Sequence, residues 1–204
     1  MRQSNKERRD ETIFREDQQV MEWLQTKETE GDICLRYFDE SGFSLIPSIP
    51  YGWQAIGQTT RIPCQRSKRQ NVLGFMGRQG EWFYRVTEES VTTETVIAVF
   101  DAFSQAYYDD EFSQHGKLCF VAIDNASMHT SAAFRERMED WWLRGVIPRY
   151  LPTYSPELNL IEILWRKIKY EWLPLQAFRD SLHLKYWLNK VLSVIGDQYQ
   201  ISFA

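Results

Sequence analysis

Three acidic residues stand where carboxylates can do chemistry. Asp39 follows the β-prone run Ile33 to Phe38, Asp124 follows the apolar run Leu118 to Ile123, and Glu162 comes after a further 37 intervening residues, one turn into an apolar-periodic segment. Carboxylates at strand ends and on a helix face offer hard oxygen ligands on rigid supports, the set that Mg²⁺ takes. Two aspartates on adjacent strand ends would repel each other strongly without a cation. Such a site suits the cutting of a phosphodiester by water, with two divalent ions about 4 Å apart activating the nucleophile and the leaving oxygen. Glu40 adjoins Asp39 and competes with it for the same role. Taken singly each acid says little: an aspartate after a strand is usually a turn residue, and a glutamate in a first helical turn usually answers the helix dipole.

The elements that must carry these acids are legible from periodicity. Residues 1–29 are highly charged, with Ile13, Phe14, Val20, Met21, Trp23 and Leu24 spaced for an amphipathic N-terminal helix or linker. Ile33 to Phe38 predicts a strand, Asp39-Glu40-Ser41-Gly42 a tight turn, and Phe43 to Ile46 a further strand. A Pro- and Gly-punctuated loop with Tyr51 and Trp53 follows, then a hairpin of Asn71 to Met76 and Trp82 to Val86 around two glycines. Helical spacing over 92–108, with Ser90 and Thr92 as candidate caps, leads to a strand over 117–123 whose continuous apolar run fits burial on both faces. A helix over 130–144, a strand over 146–151, a helix over 158–172 and a last helix over 178–195 complete the order. Strands in a meander, then helix, strand, helix, strand, helix, predict an α/β chain of ribonuclease-H-like type. Its central mixed five-stranded sheet would carry helices on both faces.

Composition sets bounds. The chain has 204 residues, 43% hydrophobic and 25% charged, which is ordinary for one globular domain. No run approaches the roughly 18 apolar residues of a membrane span, and the N-terminus runs into charges, so a cytoplasmic location is expected. Cys34, Cys64 and Cys119 are odd in number and lack zinc-site spacing. A net charge of −4 argues against a free-standing DNA reader, because Lys and Arg supply most non-specific affinity for phosphates. It is compatible with an enzyme whose ions bring local positive charge, and basic residues do cluster at Arg61, Arg66, Lys68 and Arg69 and at Arg166, Lys167 and Lys169. No serine-hydrolase elbow, P-loop or dinucleotide fingerprint is present.

The flanks of the acids carry the most specific signal. Phe38-Asp39-Glu40-Ser41, then Ile123-Asp124-Asn125-Ala126-Ser127-Met128-His129, then Leu151 through Trp165, with Tyr154-Ser155-Pro156-Glu157-Leu158-Asn159 closing on Ile161-Glu162, resemble the three signature blocks of mariner-superfamily transposases in their bacterial insertion-sequence branch. The resemblance spans about residues 30 to 172, with Leu160 where the pattern usually has proline. It implies a DDE catalytic domain over residues 30–204 that cleaves double-stranded DNA at transposon ends and joins the 3′ hydroxyl to target DNA. It further implies Asp39, Asp124 and Glu162 as ligands of two Mg²⁺ ions, replaceable by Mn²⁺. Fewer than 30 residues precede the first block, so a helix-turn-helix reader is expected in a separate or upstream segment, and a homodimer on paired ends by analogy.

Supporting roles attach to several neighbours. His129 is a candidate for contact with the scissile phosphate or a metal-bound water, or else a helix cap. Asn125 is expected to orient Asp124, and Asn159 to touch substrate or cap a helix turn. Trp53 resembles the family's hairpin tryptophan, on which a splayed base could stack, though core packing explains most tryptophans. Arg166 and Lys169 would line a phosphate track on the polar face after Glu162, with Arg61, Arg66, Lys68 and Arg69 as further DNA contacts. The competing readings are a ribonuclease-H-like nuclease without strand transfer and an inactive remnant or interaction domain.

Overall fold

The computed structural model describes residues 6–47, 55–57 and 69–201. Helix α1 (Glu11–Glu30) starts where the Asp10 carboxylate accepts from the Thr12 and Ile13 amides, and it ends at Gly31, whose φ of 86° is one that residues with a Cβ adopt at a cost. Strand β1 (Cys34–Phe43) follows, then β2 (Gln70–Met76), β3 (Trp82–Thr87) and α2 (Thr93–Tyr107), which is capped by Thr92. A π-turn over Tyr108–Phe112 and a short α3 (Ser113–His115) lead to β4 (Cys119–Ile123), α4 (Ala132–Leu143) and β5 (Val146–Tyr150). The chain closes with α5 (Ile161–Lys167), a second π-turn over Ile168–Trp172, and α6 (Ser181–Leu192).

The five strands form one sheet in the order β3-β2-β1-β4-β5. β1 pairs antiparallel with β2, as β2 does with β3, while β1 with β4 and β4 with β5 run parallel. Alternation along β1 sends Leu35, Tyr37 and Phe43 to one face, where they join Met21 and Leu24 of α1, Ile161, Leu164 and Trp165 of α5, and Leu184, Leu188 and Val191 of α6. Phe38 goes to the other face, against Val96, Phe100 and Phe103 of α2 and Phe134 and Trp141 of α4. Helices thus cover both faces, and the buried Trp141 donates its indole N–H to Asp101 at 2.7 Å.

Four expectations change. Asp39-Glu40-Ser41-Gly42 is not a turn: β1 runs through it, because β2 supplies partners Gly74, Leu73, Val72 and Asn71 in register and that ladder overrides local turn preference. Ser44–Ile46 is not a strand but a bend beyond the end of β1. The helix expected over 158–172 is divided into a 3₁₀ turn at Pro156–Leu158, α5 and the π-turn, and the last helix starts at Ser181 after a 3₁₀ turn at Leu175–Phe178.

Candidate active site

β1 and β4 pair from Cys34↔Cys119 to Tyr37↔Ala122, an offset of 85. Carried on two residues, that offset sets Asp39 beside Asp124. β4 ends at Ile123 while β1 continues on β2 alone, so the sheet opens at this pair. Asp39 therefore marks the end of the parallel pairing and not the end of its strand. Successive residues of a strand face opposite ways, which separates the two neighbouring acids. Asp39 turns to the α5 face, where Trp165 Nε1 donates to its Oδ2 at 3.0 Å, and Glu40 turns to the α4 face and His129.

His129 is fully buried in the turn before α4, which is capped by Ser131 instead, so His129 neither caps a helix nor reaches solvent. Its Nδ1 lies 2.7 Å from Asp124 Oδ1 and its Nε2 3.6 Å from Glu40 Oε2, an ion-pair distance. Burial works against its charge, but the bond to Asp124 and the nearness of Glu40 prevail and lift its pKa to about 10. It is thus an imidazolium held between two carboxylates. Tyr150 fixes the ring's backbone by donating its hydroxyl to the His129 carbonyl at 2.5 Å.

The two aspartates are tuned apart. Asp39 is pushed up to about 8, first by burial and then by the charges of Glu40, Asp124 and Glu162. Burial also presses on Asp124, but the His129 bond and the Ala126 amide, donating at 2.9 Å, hold it below its ordinary range. Glu162, the second residue of α5, is raised by burial and by Asp124, with Arg166 working the other way.

Asp39, Asp124 and Glu162 line one cleft of about 400 Å³ together with Asn125, Asn159 and the segment Leu151–Pro156. Asn125 does not orient Asp124; its amide donates to the Leu151 carbonyl and ties that segment to the end of β4. Nor does the Asn159 side chain cap a helix. It is buried and donates Nδ2 to the Phe38 carbonyl at 3.0 Å, locking the start of α5 onto β1, while its Oδ1 has no hydrogen-bond partner among the described residues. Two features escaped the sequence reading. Trp165, named there only as the end of the third signature block, is also a donor to Asp39, and its position three residues after Glu162 was the available signal. Tyr154 is the one non-glycine among the described residues with positive φ, 59°, a strained conformation at the rim of the cleft.

Oxygen-only donors on rigid elements suit a hard divalent cation. Among the described residues no three His, Cys, Asp or Glu side chains are drawn close enough to hold one ion, so the acids share a cleft without forming a closed cage. Of the basic residues, Arg166 is exposed on α5, and Lys169 and Arg69 line a neighbouring cleft. Trp53, Arg61, Arg66 and Lys68 lie outside the described residues. No described helix is long and apolar enough to cross a membrane.

The comparisons agree with this architecture. The Mos1 mariner paired-end complex with Mn superposes with a TM-score of 0.62 at 19% identity, covering 90% of this chain and 56% of that one. The Mos1 paired-end complex with the left transposon end gives 0.61 at 18%, covering 95% and 58%. The Mos1 catalytic domain with Raltegravir and Mg gives 0.57 at 16%, covering 90% and 84%. The fold is therefore the ribonuclease-H-like fold of that catalytic domain, and the chain spans little more than half the length of the transposase chains in the paired-end complexes. No curated protein matches the sequence. The sequence profile of the DDE superfamily endonucleases matches residues 34–185, most of the chain, and the chain belongs to that family.

Proposed function

We propose that residues 30–204 form the catalytic domain of a transposase of the bacterial insertion-sequence type, which cleaves DNA at element ends and joins the freed 3′ hydroxyl to target DNA. The observation that carries this is the abutment of Asp39 and Asp124 at the opening between two parallel strands, with Glu162 lining the same cleft. These three carboxylates would hold the Mg²⁺ or Mn²⁺ ions, which supply charge neutralisation at the phosphodiester and at the attacking and leaving oxygens. Mn and Mg accompany the related Mos1 structures, which supports the choice of ion. Trp165 and His129 each fix one aspartate, and Asn159 fixes the helix that carries Glu162, so the three acids meet substrate from rigid elements. Water attacks the phosphodiester at the element end, the bond to the 3′ oxygen breaks, and that hydroxyl then attacks a target phosphodiester in line. Each step forms one P–O bond and breaks one.

Double-stranded DNA is the expected partner, supported by the transposon end bound in the Mos1 complex. A helix-turn-helix segment upstream or on a separate chain would supply end recognition, and a homodimer would bridge two ends in the cytoplasm at the nucleoid. The test is calorimetric titration of Mn²⁺ into the wild-type chain and into Asp39→Asn, Asp124→Asn and Glu162→Gln, followed by nicking of supercoiled DNA. Each substitution is expected to abolish nicking and weaken Mn²⁺ binding with the circular dichroism unchanged. Binding and nicking untouched by all three would overturn the assignment. Nicking without joining of a pre-cut end would favour the nuclease reading.

A further inference from the structure

Glu162 and Lys169 are seven residues apart, two helical turns, so they lie in line along α5 and its π-turn with Lys169 about 10 Å beyond Glu162. β1 runs beside them: Asp39 meets Trp165, and four residues on, on the same strand face, Phe43 meets Lys169, whose Nζ is 5.3 Å from the ring centroid. Here a second cleft opens, of about 280 Å³, lined by Phe43, Ile46, Leu173 and Phe178 with Lys169 and Arg69. Arg69 reaches it by crossing Gly42, where a Cβ would stand 3.3 Å from its Cδ. Neither cation has a hydrogen-bond or ion-pair partner among the described residues. Lys169 is half-buried, and its pKa is lowered first by burial and then by Arg69, while Asp39 holds it up. Two unpaired cations over an apolar floor, beside a row of acids, make an anion site with room for a ring or sugar.

We propose that Arg69 and Lys169, with Phe43 beneath them, form a subsite for the substrate strand that binds a phosphodiester flanking the one being cut. The apolar floor takes the attached sugar or base edge. This rests on reading Asp39, Asp124 and Glu162 as the cutting site. It adds to that reading a fixed direction for the strand, from the acids along α5 toward Phe43. An acidic protein thereby gains local positive charge at one place on the strand, which gives register rather than bulk affinity.

The experiment is fluorescence anisotropy with the full chain and a labelled duplex at low salt. Single backbone phosphates around the cut position are replaced one at a time by neutral methylphosphonates. The wild-type chain is expected to lose roughly tenfold in affinity when one particular flanking phosphate on the Phe43 side of the cut is neutralised, as for a charge-assisted contact. In Lys169→Met, which keeps the aliphatic stem, and in Arg69→Gln, which alters an exposed residue, that same replacement should cost distinctly less than in the wild type, since one of the two cations is gone. The slope of log K against log salt should fall by about one in each. Lys169→Arg should restore the position dependence. Mn²⁺ titration separates the two ideas, since both variants should bind Mn²⁺ as the wild type does while Asp39→Asn does not. A uniform loss at every phosphate, variants indistinguishable from wild type, or a wild-type chain that binds no duplex would each overturn the subsite, even where Mn²⁺ binding upholds the acids.

Discussion

Asp39 is half-buried against the Trp165 indole and feels three other acids, whereas Asp124 accepts from the Ala126 amide and the His129 imidazolium. The opposite directions of their shifts set a pH dependence whose sign can be worked out. A carboxyl whose folded pKa is raised holds its proton in the folded state over a range where the unfolded chain has lost it, so stability falls as pH rises between the two values. For Asp39 that range runs from about 4 to about 8. His129, raised to about 10, adds a fall only above its unfolded value near 6.5. Asp124, lowered, acts only below about 4. Between about pH 4.5 and 6 the melting temperature of the metal-free chain is therefore expected to decline chiefly through Asp39, with Glu162 adding in the same sense. Asp39→Asn should flatten that decline, and a slope unchanged in the variant would show that Asp39 is not the group. His129 makes a second prediction, because it touches no solvent and acts only through Asp124 and Glu40. His129→Asn should weaken Mn²⁺ binding by roughly 10- to 100-fold, as for other residues that orient a ligand. It also leaves the half-buried Glu40 without a counter-charge, so Glu40→Gln added to it should recover part of the lost stability in urea.

At the scale of elements, the site depends on how β2 and β3 seat the tryptophans. Gly74 pairs with Asp39 across β1 and β2, and a Cβ there would stand 2.2 Å from Trp82 Cη2. Trp82 packs edge-on against Trp165 at 5.8 Å, and Trp165 donates to Asp39. Gly74→Ala should thus displace one indole onto the next, at a cost of about 1–3 kcal/mol, and lower Mn²⁺ affinity with it. An unaltered urea midpoint would mean that the Trp82 ring has room to move. Nothing in the sequence around Gly74 signals this contact, since a glycine in a strand reads equally as a bulge or as a weak point. The element order and the strands carrying Asp39 and Asp124 were legible because their apolar runs are long and bounded. The course of β1 through Asp39 to Phe43 was not, because acidic, small and glycine residues mimic a turn unless a partner strand is known. The breaks around α5 were hidden for a related reason. One apolar stripe over 158–172 fits a 3₁₀ turn, an α-helix and a π-turn in succession nearly as well as it fits one helix.

Across the whole molecule the N-terminal segment is the part that the sequence suggests as a helix or linker ahead of the domain. Its sequence is mostly polar, yet α1 lies on the sheet face that carries α5 and α6. Gln25 donates to the Tyr37 hydroxyl at 3.0 Å, the Glu28 carboxylate accepts from the Leu35 amide at 3.3 Å, and Asp17 pairs with Arg149 of β5. Just before α1, Arg9 pairs with Glu157, in the turn that precedes the Glu162 helix. A linker would make none of these contacts. Two adjacent residues allow a clean test, because Leu24 is 2% exposed and Trp23 is 55% exposed. If α1 belongs to the folded unit, Leu24→Ala should cost about 2–5 kcal/mol in urea unfolding, the usual range for a leucine lost from a packed core. Trp23→Ala, although it removes the larger side chain, should cost less than about 0.5 kcal/mol, as for a surface change away from any special contact. Equal, small effects at both positions would make α1 an appendage. A large effect at Leu24 alone, in a single cooperative transition, would place the sheet, the acids and α1 in one folding unit and require the N-terminal helix in any active form of the domain.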